Sequence, residues 1–297
     1  MANYGTLDIP SLEGGRKPVR KETPGPILRW VGGKTRMLKT LLDLLPANHQ
    51  NMHYAEPFLG SGALFFALRP TKALISDANE QLIACYRTLR DKPSQLFREL
   101  QRHVKKHSQK YYFTIRSEFN RATTTNNLEQ AGRFLYLNRA CWNGVFRVNL
   151  KDQFNVPYGH KNPLPIPTLE RMRQASNCLK HAKLLHGDFD KVLDGSVGKN
   201  SLLFVDPPYP PKSRTAYFSH YTTGRFDWDD HKRLAHRLAE CAAEGAKIIL
   251  TLPDISDVRA LYRSFIRHHA YVFRLVSCKV RRKRVRELIL TNYRAIK

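Results

Sequence analysis

Leu202-Leu203-Phe204-Val205-Asp206-Pro207-Pro208-Tyr209 is the stretch whose reading decides the fold. Four apolar residues in a row predict a buried strand. Open α/β sheets bind their ligands beyond the carboxyl ends of the strands. Here that end carries a carboxylate, two prolines and an aromatic ring. Asp206 can accept a hydrogen bond from an amine, and Pro207 offers its backbone carbonyl as a second acceptor. Two proline rings with fixed φ hold these acceptors rigid. Tyr209 can stack on a planar base. Two acceptors on one aromatic amine draw its protons out of the ring's favoured geometry. The nitrogen moves towards sp³, and its lone pair is freed to attack a methyl sulfonium. The amine proton becomes acidic only after transfer, so no strong base is needed beforehand, and orientation and proximity supply much of the rate. The plainer alternative is a turn in which Asp206 caps a helix.

Upstream, the pattern is strand, turn, helix, strand, helix. A short strand is expected at 53–56, a glycine turn at 60–62, a helix from Ala63 to Leu68, a strand over 72–76 and a helix from Asn79 to Arg90. That is the opening of a parallel α/β sheet. Glu56-Pro57-Phe58-Leu59-Gly60-Ser61-Gly62 fills the first turn, where glycine lets the backbone approach a ligand. The Walker pattern is absent, so phosphate cradling is not supported. Asp77 lies 17 positions after Gly60, at the end of the next strand. A carboxylate there can take both hydroxyls of a ribose, or it can cap the following helix. Earlier still, Arg29-Trp30-Val31-Gly32-Gly33-Lys34 precedes a helix that Pro46 stops. Trp30 can cover a ligand and Lys34 can meet a carboxylate, although a bland loop fits equally well.

Residues 93–139 read as helix after helix, and 141–160 as a hairpin turning at Lys151 and Asp152. Pro163, Pro165 and Pro167 punctuate the loop that follows. Strands are expected again at 183–187, 201–205, 246–252, 271–276 and 287–293, with helices at 229–243 and 254–265. Gly245 is placed to end the first of these helices. The hairpin gathers Asn138, Arg139, Asn143, Arg147, Asn149 and Asn155. Such side chains read base edges, and a two-stranded ribbon fits the major groove. Some of Phe146, Val148, Phe154 and Val156 must instead be core. Lys279 to Arg286 holds six basic residues in eight. Arg281, Arg282, Lys283 and Arg284 within it suit either phosphate clamping or a solvated face. Asp188-Phe189, just after a strand, can meet an adenine ring or cap a helix.

Composition narrows the partners. The chain of 297 residues carries 50 Lys and Arg against 25 Asp and Glu, a formal net charge of +25. That excess repels itself unless a polyanion offsets it, and nucleic acid is the expected polyanion. The five cysteines are far apart, with no Cys-x-x-Cys pair. This is neither a disulfide framework nor a zinc ribbon, and reduced thiols in a cytoplasmic protein are expected. His103 and His107 sit among Arg102, Lys105 and Lys106, and His268 and His269 are adjacent, so no metal site is expected. No apolar stretch approaches the length of a membrane span, and no membrane partner is expected. Residues 1–26, with eight Gly or Pro, read as a flexible basic tail.

Taken together, these motifs resemble the Dam-type DNA adenine methyltransferases of the alpha group. The resemblance rests on Arg29 to Lys34, Glu56 to Gly62, Ser76-Asp77-Ala78-Asn79, Asn138-Arg139, Asn143-Gly144, Arg147, Phe154-Asn155-Val156-Pro157 and Asp206-Pro207-Pro208-Tyr209. It implies a Rossmann-like methyltransferase sheet with an inserted helical DNA-recognition lobe and β-hairpin, an α/β fold. The expected division is a tail (1–26), a first part with cofactor motifs (27–90), an insert (91–180) and a second part with the catalytic motif (181–297). S-adenosyl-L-methionine is the implied cofactor. Trp30, Lys34, Phe58, Gly60, Gly62, Asp77, Asp188, Phe189 and Asp206 are its expected contacts. Asp206, Pro207, Pro208 and Tyr209 form the expected reaction centre. Double-stranded DNA is the implied partner of a monomer, with the target adenine flipped into the pocket, and the hairpin's likeness points to GATC. Two departures touch the target site: Lys151-Asp152-Gln153 stands where a turn glycine is common, and Cys141-Trp142 where a Thr- or Gly-Phe/Tyr pair is usual. Two alternatives remain open: a methyltransferase acting on cytosine N4 or RNA, and an inactive DNA-binding protein on the same fold.

Overall fold

A computed structural model describes residues 25–123, 127–195, 197–210, 226–273 and 284–295. The chain runs α1 (Leu38–Asp43), β1 (His53–Glu56), α2 (Ala63–Leu68), β2 (Ala73–Asp77), α3 (Glu80–Asp91), α4 (Pro93–Lys105), α5 (Gln109–Arg121), α6 (Leu128–Ala140), α7 (Leu169–Leu179), β3 (Ala182–His186), α8 (Asp190–Leu193), β4 (Ser201–Val205), α9 (Trp228–Ala243), β5 (Lys247–Pro253), α10 (Ser256–Leu261), β6 (Ile266–Phe273) and β7 (Arg284–Thr291). Seven strands form one sheet in the order β3-β2-β1-β4-β5-β7-β6. The first five are parallel, and β7 runs against both of its neighbours. This is the Rossmann-like α/β sheet, with one reversed strand slipped in near the edge.

The quoted strand is buried throughout, as a central parallel strand must be. Its side chains alternate between two apolar layers. Leu202 and Phe204 join the layer under α1–α7, and Leu203 and Val205 join the layer under α8, α9 and α10. The helices are set by caps. Asn79, Ser108, Asn127 and Thr168 each accept a backbone N–H at the start of α3, α5, α6 and α7. Asp227 and Asp230 close a reciprocal capping box on α9, and each such cap contributes about 1 kcal/mol. Gly245, at a φ of 92°, ends α9.

The inserted helices are continuous with the rest. The aromatic and aliphatic residues of α4–α7 pack in the same layer as Tyr54, Ile75 and Phe204 of the sheet. The hairpin forms as expected but with a sparse ladder: Cys141 bridges Tyr158 and Val148 bridges Phe154. Two strands lie elsewhere than the sequence suggested. The strand expected at 271–276 is β6, beginning at Ile266, because an edge strand tolerates the exposed Arg267 and His269 while His268 turns inward to the Thr291 hydroxyl at 3.0 Å. The strand expected at 287–293 begins at Arg284. Part of the basic run is therefore strand.

The segment before α1 is stitched to the insert. Arg171 donates to the Pro26 carbonyl at 3.1 Å, and Arg139 donates to that of Ile27. The Asn138 side chain accepts from Arg29 N at 2.9 Å and donates to Arg29 O at 2.7 Å. Asn138 is buried, so removing its amide strands two backbone groups of Arg29. Asn138→Ala is expected to destabilise the fold by about 1–3 kcal/mol, read as a lower urea midpoint. An unchanged midpoint would contradict the stitching.

Candidate active site

Asp206 leaves the end of β4 beside the end of β5. Thr251 of β5 donates its hydroxyl to Asp206 Oδ1 at 2.7 Å. Lys34 contacts both carboxylate oxygens, Oδ1 at 2.5 Å and Oδ2 at 2.7 Å. Lys34 is 5% exposed and Asp206 18%, so water screens the pair weakly. The lysine is held in turn by the glycine turn before it. Gly32 adopts a φ of 80°, and its carbonyl accepts from Lys34 Nζ at 2.8 Å. Pro207 is buried and Pro208 exposed. Tyr209 hydrogen-bonds Glu287 of β7 at 2.8 Å, and Lys34 Nζ lies 5.1 Å from the centre of its ring. The sequence suggested that Lys34 meets a carboxylate; within the protein that carboxylate is Asp206.

The glycine turn is built from three sides. Asp77 Oδ2 accepts from Gly60 N at 2.9 Å, and Tyr86 donates to Gly60 O at 3.0 Å. A Cβ on Gly60 would fall 2.7 Å from Trp30 Cδ1. Only glycine fits, and its φ of 48° adds to the restriction. Gly62, at a φ of 64°, starts α2. Trp30 stacks on Phe146 of the hairpin at 5.7 Å and 15°, so it joins the glycine turn to the insert. Asp77 does not cap α3; Asn79 does. Burial raises the Asp77 carboxyl, and the N–H groups of Gly60 and Asn79 partly offset it.

Sequence reasoning missed three residues here. Glu56, at the end of β1, is buried and accepts from Tyr54 at 2.8 Å. Burial pushes its carboxyl well up, with Asp206 and Asp77 adding to the shift and the Tyr54 hydroxyl opposing it. Thr251 and Glu287 are the others. Thr251 and Glu287 are polar residues beside apolar runs within strands, and that is the signal that could have found them; Glu56 closes β1 at the head of the glycine-turn motif.

Asp188 and Phe189 lie at the start of α8. Asp188 pairs with Arg233 at 2.8 Å, which with the Asp190 N–H holds its carboxyl below the usual range although burial opposes this. Phe189 is buried against Phe58 and Phe226, 5.7 and 5.9 Å between ring centres, with Arg233 4.3 Å over its face. In the hairpin, Asn143 and Arg147 are exposed. Asn155 Oδ1 holds Arg147 Nε at 2.8 Å. Asn149 Oδ1 accepts from Lys151 N and Gln153 N and so builds the turn. Asn138 and Arg139 were expected at the DNA; the structure turns them inward to the Arg29 and Ile27 backbone. Burial, with Arg29 and Arg171 nearby, lowers the Arg139 pKa to about 9. Arg281, Arg282 and Lys283 lie outside the described residues, as do residues 1–24, and Arg284 opens β7. No group of His, Cys, Asp and Glu among the described residues could hold a metal, and no described helix is long and apolar enough to cross a membrane.

Residues 30–277 match the family model of D12 class N6 adenine-specific DNA methyltransferases. The chain belongs to that family. It is 36% identical over 274 residues to the type II methyltransferase M1.LlaDCHI of Lactococcus lactis subsp. cremoris, covering 90% of this chain and 95% of that protein. The type II methyltransferase M.MjaIII of Methanocaldococcus jannaschii is 33% identical over 287 residues, covering 90% and 99%. The retron Ec67 DNA adenine methylase of Escherichia coli is 34% identical over 251 residues, covering 82% of each. This D12-class chain is thus a DNA adenine methyltransferase, with S-adenosylmethionine as its cofactor. The donor set fits that group. Carboxyl groups of Glu56, Asp77 and Asp206 gather at the ends of the adjacent strands β1, β2 and β4, close enough for Asp206 and Asp77 to raise Glu56. Such crowding is relieved by a ligand with excess positive charge, and S-adenosylmethionine carries a sulfonium and an ammonium against one carboxylate.

His231 of α9 is buried, 4.8 Å from Phe226 and 5.6 Å from Trp228 between ring centres. Burial pushes its pKa from 6.5 down to about 4, against the Pro208 backbone and Asp230. Between these pH values the unfolded chain binds a proton that the folded chain refuses. The stability is therefore full above pH 6.5 and is lost as pH falls towards 4. His231→Phe is expected to flatten this part of the curve of urea midpoint against pH. Parallel curves for the two proteins would contradict it.

Proposed function

We propose that this enzyme methylates N6 of an adenine swung out of double-stranded DNA, with GATC the first site to test. The observation that carries the reading is the pinned Asp206 beside two prolines. A carboxylate offers about four lone-pair sites. Lys34 and Thr251 engage it from one side, which fixes its orientation and leaves Oδ2 able to accept from an adenine amine. The Pro207 carbonyl is the second acceptor, and the Tyr209 ring is the stacking face. S-adenosylmethionine, when bound, supplies the electrophilic methyl group. Asp77 holds the ribose hydroxyls, and Phe58 and Phe189 line the adenine side with Asp188. Asp206 Oδ2 is placed to receive the N6 proton once the nitrogen has become acidic.

Extrusion of the base costs a few kcal/mol, roughly, and contacts to the duplex must offset it. Asn143 and Arg147 are the exposed hairpin side chains that reach base edges. Asn149 and Asn155 shape the hairpin that carries them. Arg281, Arg282, Lys283 and Arg284 bind phosphates. The reading puts the protein in the cytoplasm, acting as a monomer. The names of two relatives as type II methyltransferases support a partnership with a restriction enzyme.

Asp206→Asn is expected to lower the single-turnover rate at least 100-fold, roughly, with DNA affinity within about twofold. Turnover near the wild-type rate would remove Asp206 from the reaction. Base-resolved sequencing of host DNA after expression is expected to show N6-methyladenine at one short motif. N4-methylcytosine there, or methylated RNA, would favour the rival reading. Affinity for DNA is expected to fall by on the order of 10³ between about 50 and 200 mM salt. A flat response in filter binding would count against phosphate contacts.

A further inference from the structure

Glu287 is an acid in a place that ordinarily excludes one. It is 7% exposed and is followed in β7 by the fully buried Leu288, Ile289 and Leu290. A buried carboxylate is costly unless a donor meets it. Its register explains what it meets. β7 is the reversed strand, and Glu287 stands opposite Pro253 of β5. Two residues earlier on β5, Thr251 grips Asp206 at 2.7 Å. The Tyr209 hydroxyl donates to Glu287 Oε2 at 2.8 Å. The Asp-Pro-Pro-Tyr loop is thus tied at both ends to neighbouring strands, by Thr251 at its start and by Glu287 at its finish. Lys34 touches both ends, through the Asp206 carboxylate and over the Tyr209 ring at 5.1 Å.

We infer that Glu287 is a positioning residue for methyl transfer, setting through the Tyr209 hydroxyl the position and electron density of the ring on which the target adenine stacks. The inference rests on the proposed role of Tyr209 as the stacking face. The tyrosine side chain turns about Cα–Cβ, which moves the whole ring, and about Cβ–Cγ, which spins it about the line through its own oxygen. A hydrogen bond at that oxygen fixes where the ring sits through the first bond, and acts on the second only through the preference of a phenolic O–H for the ring plane. A hydrogen bond to an ionised acceptor is stronger than a neutral one. It also pushes electron density into the ring, which strengthens the attraction of the ring face for positive charge. Positive charge grows on N6 as the methyl group arrives, so this contact helps most at the transition state.

The test is a double-mutant cycle on single-turnover methylation of an adenine-containing duplex bound with S-adenosylmethionine. Its corners are wild type, Glu287→Ala, Tyr209→Phe and the double variant, with Glu287→Gln beside them. Glu287→Ala and Tyr209→Phe are each expected to slow transfer by about tenfold or more, with DNA affinity held within about twofold. In the Tyr209→Phe background, Glu287→Ala is expected to cost nothing further, because the hydroxyl it acts on is gone. Glu287→Gln, whose amide oxygen can still accept but carries no charge, is expected to recover only part of the rate. A duplex with 2-aminopurine at the target is expected to fluoresce more brightly with Glu287→Ala, because the extruded base is stacked less firmly. Equal losses from Glu287→Ala in both backgrounds would overturn the inference. Should Glu287→Ala fail to fold, Tyr209→Phe decides alone: it deletes one hydroxyl, and full-speed transfer by it would overturn the inference while the proposed function stood. A wild-type protein that transfers no methyl to adenine would overturn both.

Discussion

The ion pair between Lys34 and Asp206 joins the two halves of the site. Lys34 belongs to the glycine turn ahead of α1, and Asp206 to the loop after β4, 172 residues later in the chain. Both are largely out of water, so loss of either partner leaves the other charge unpaired, at a cost of about 3–5 kcal/mol. The pair also determines what each partner cannot do. Lys34 is held by Asp206 and the Gly32 carbonyl, and Asp206 is held by Lys34 and Thr251, so neither side chain turns freely. In the proposed reaction Asp206 is an acceptor oriented before substrate arrives, and such an acceptor needs no reorganisation during the reaction.

The sheet order places the remaining parts around that pair. β1, β2 and β4 are neighbours, so Glu56, Asp77 and Asp206 converge although the chain separates them widely. The reversed β7 then carries Glu287 to the same edge that parallel β5 reaches with Thr251. On the other side, Trp30 lies between Gly60 and Phe146. Its ring is therefore a physical link between the glycine turn and the hairpin. The continuous apolar layer shared by the insert and the sheet makes that link stiff. The hairpin, the helices α4–α7 and the sheet are parts of one packed body.

Much of the frame was legible before any coordinates. β1, α2 and β4 fall where the apolar runs and glycines of the sequence put them, because a buried parallel strand and a glycine turn are local signals. β6 and β7 were displaced because their signals are mixed. An edge strand keeps one face in water and tolerates Arg267 and His269, and Arg284 and Arg286 made the start of β7 read as surface. At the candidate site, Asp206, Tyr209, Gly60 and Asp77 stand out in the sequence, but their partners within the protein do not. That Lys34 meets Asp206, or Glu287 meets Tyr209, follows from strand order and register, which no local pattern encodes. Asn138 shows the opposite failure. Its type suited a base reader, but the direction in which α6 points it is inward.

The most direct test is a crystal structure of the protein with sinefungin, a non-transferring analogue of S-adenosylmethionine, and a duplex containing its target adenine. The account predicts an extruded adenine over Tyr209, with N6 about 3 Å from both Asp206 Oδ2 and the Pro207 carbonyl, and with Lys34 still on Asp206. An adenine that remains stacked in the duplex, or an amine that meets neither acceptor, would contradict it.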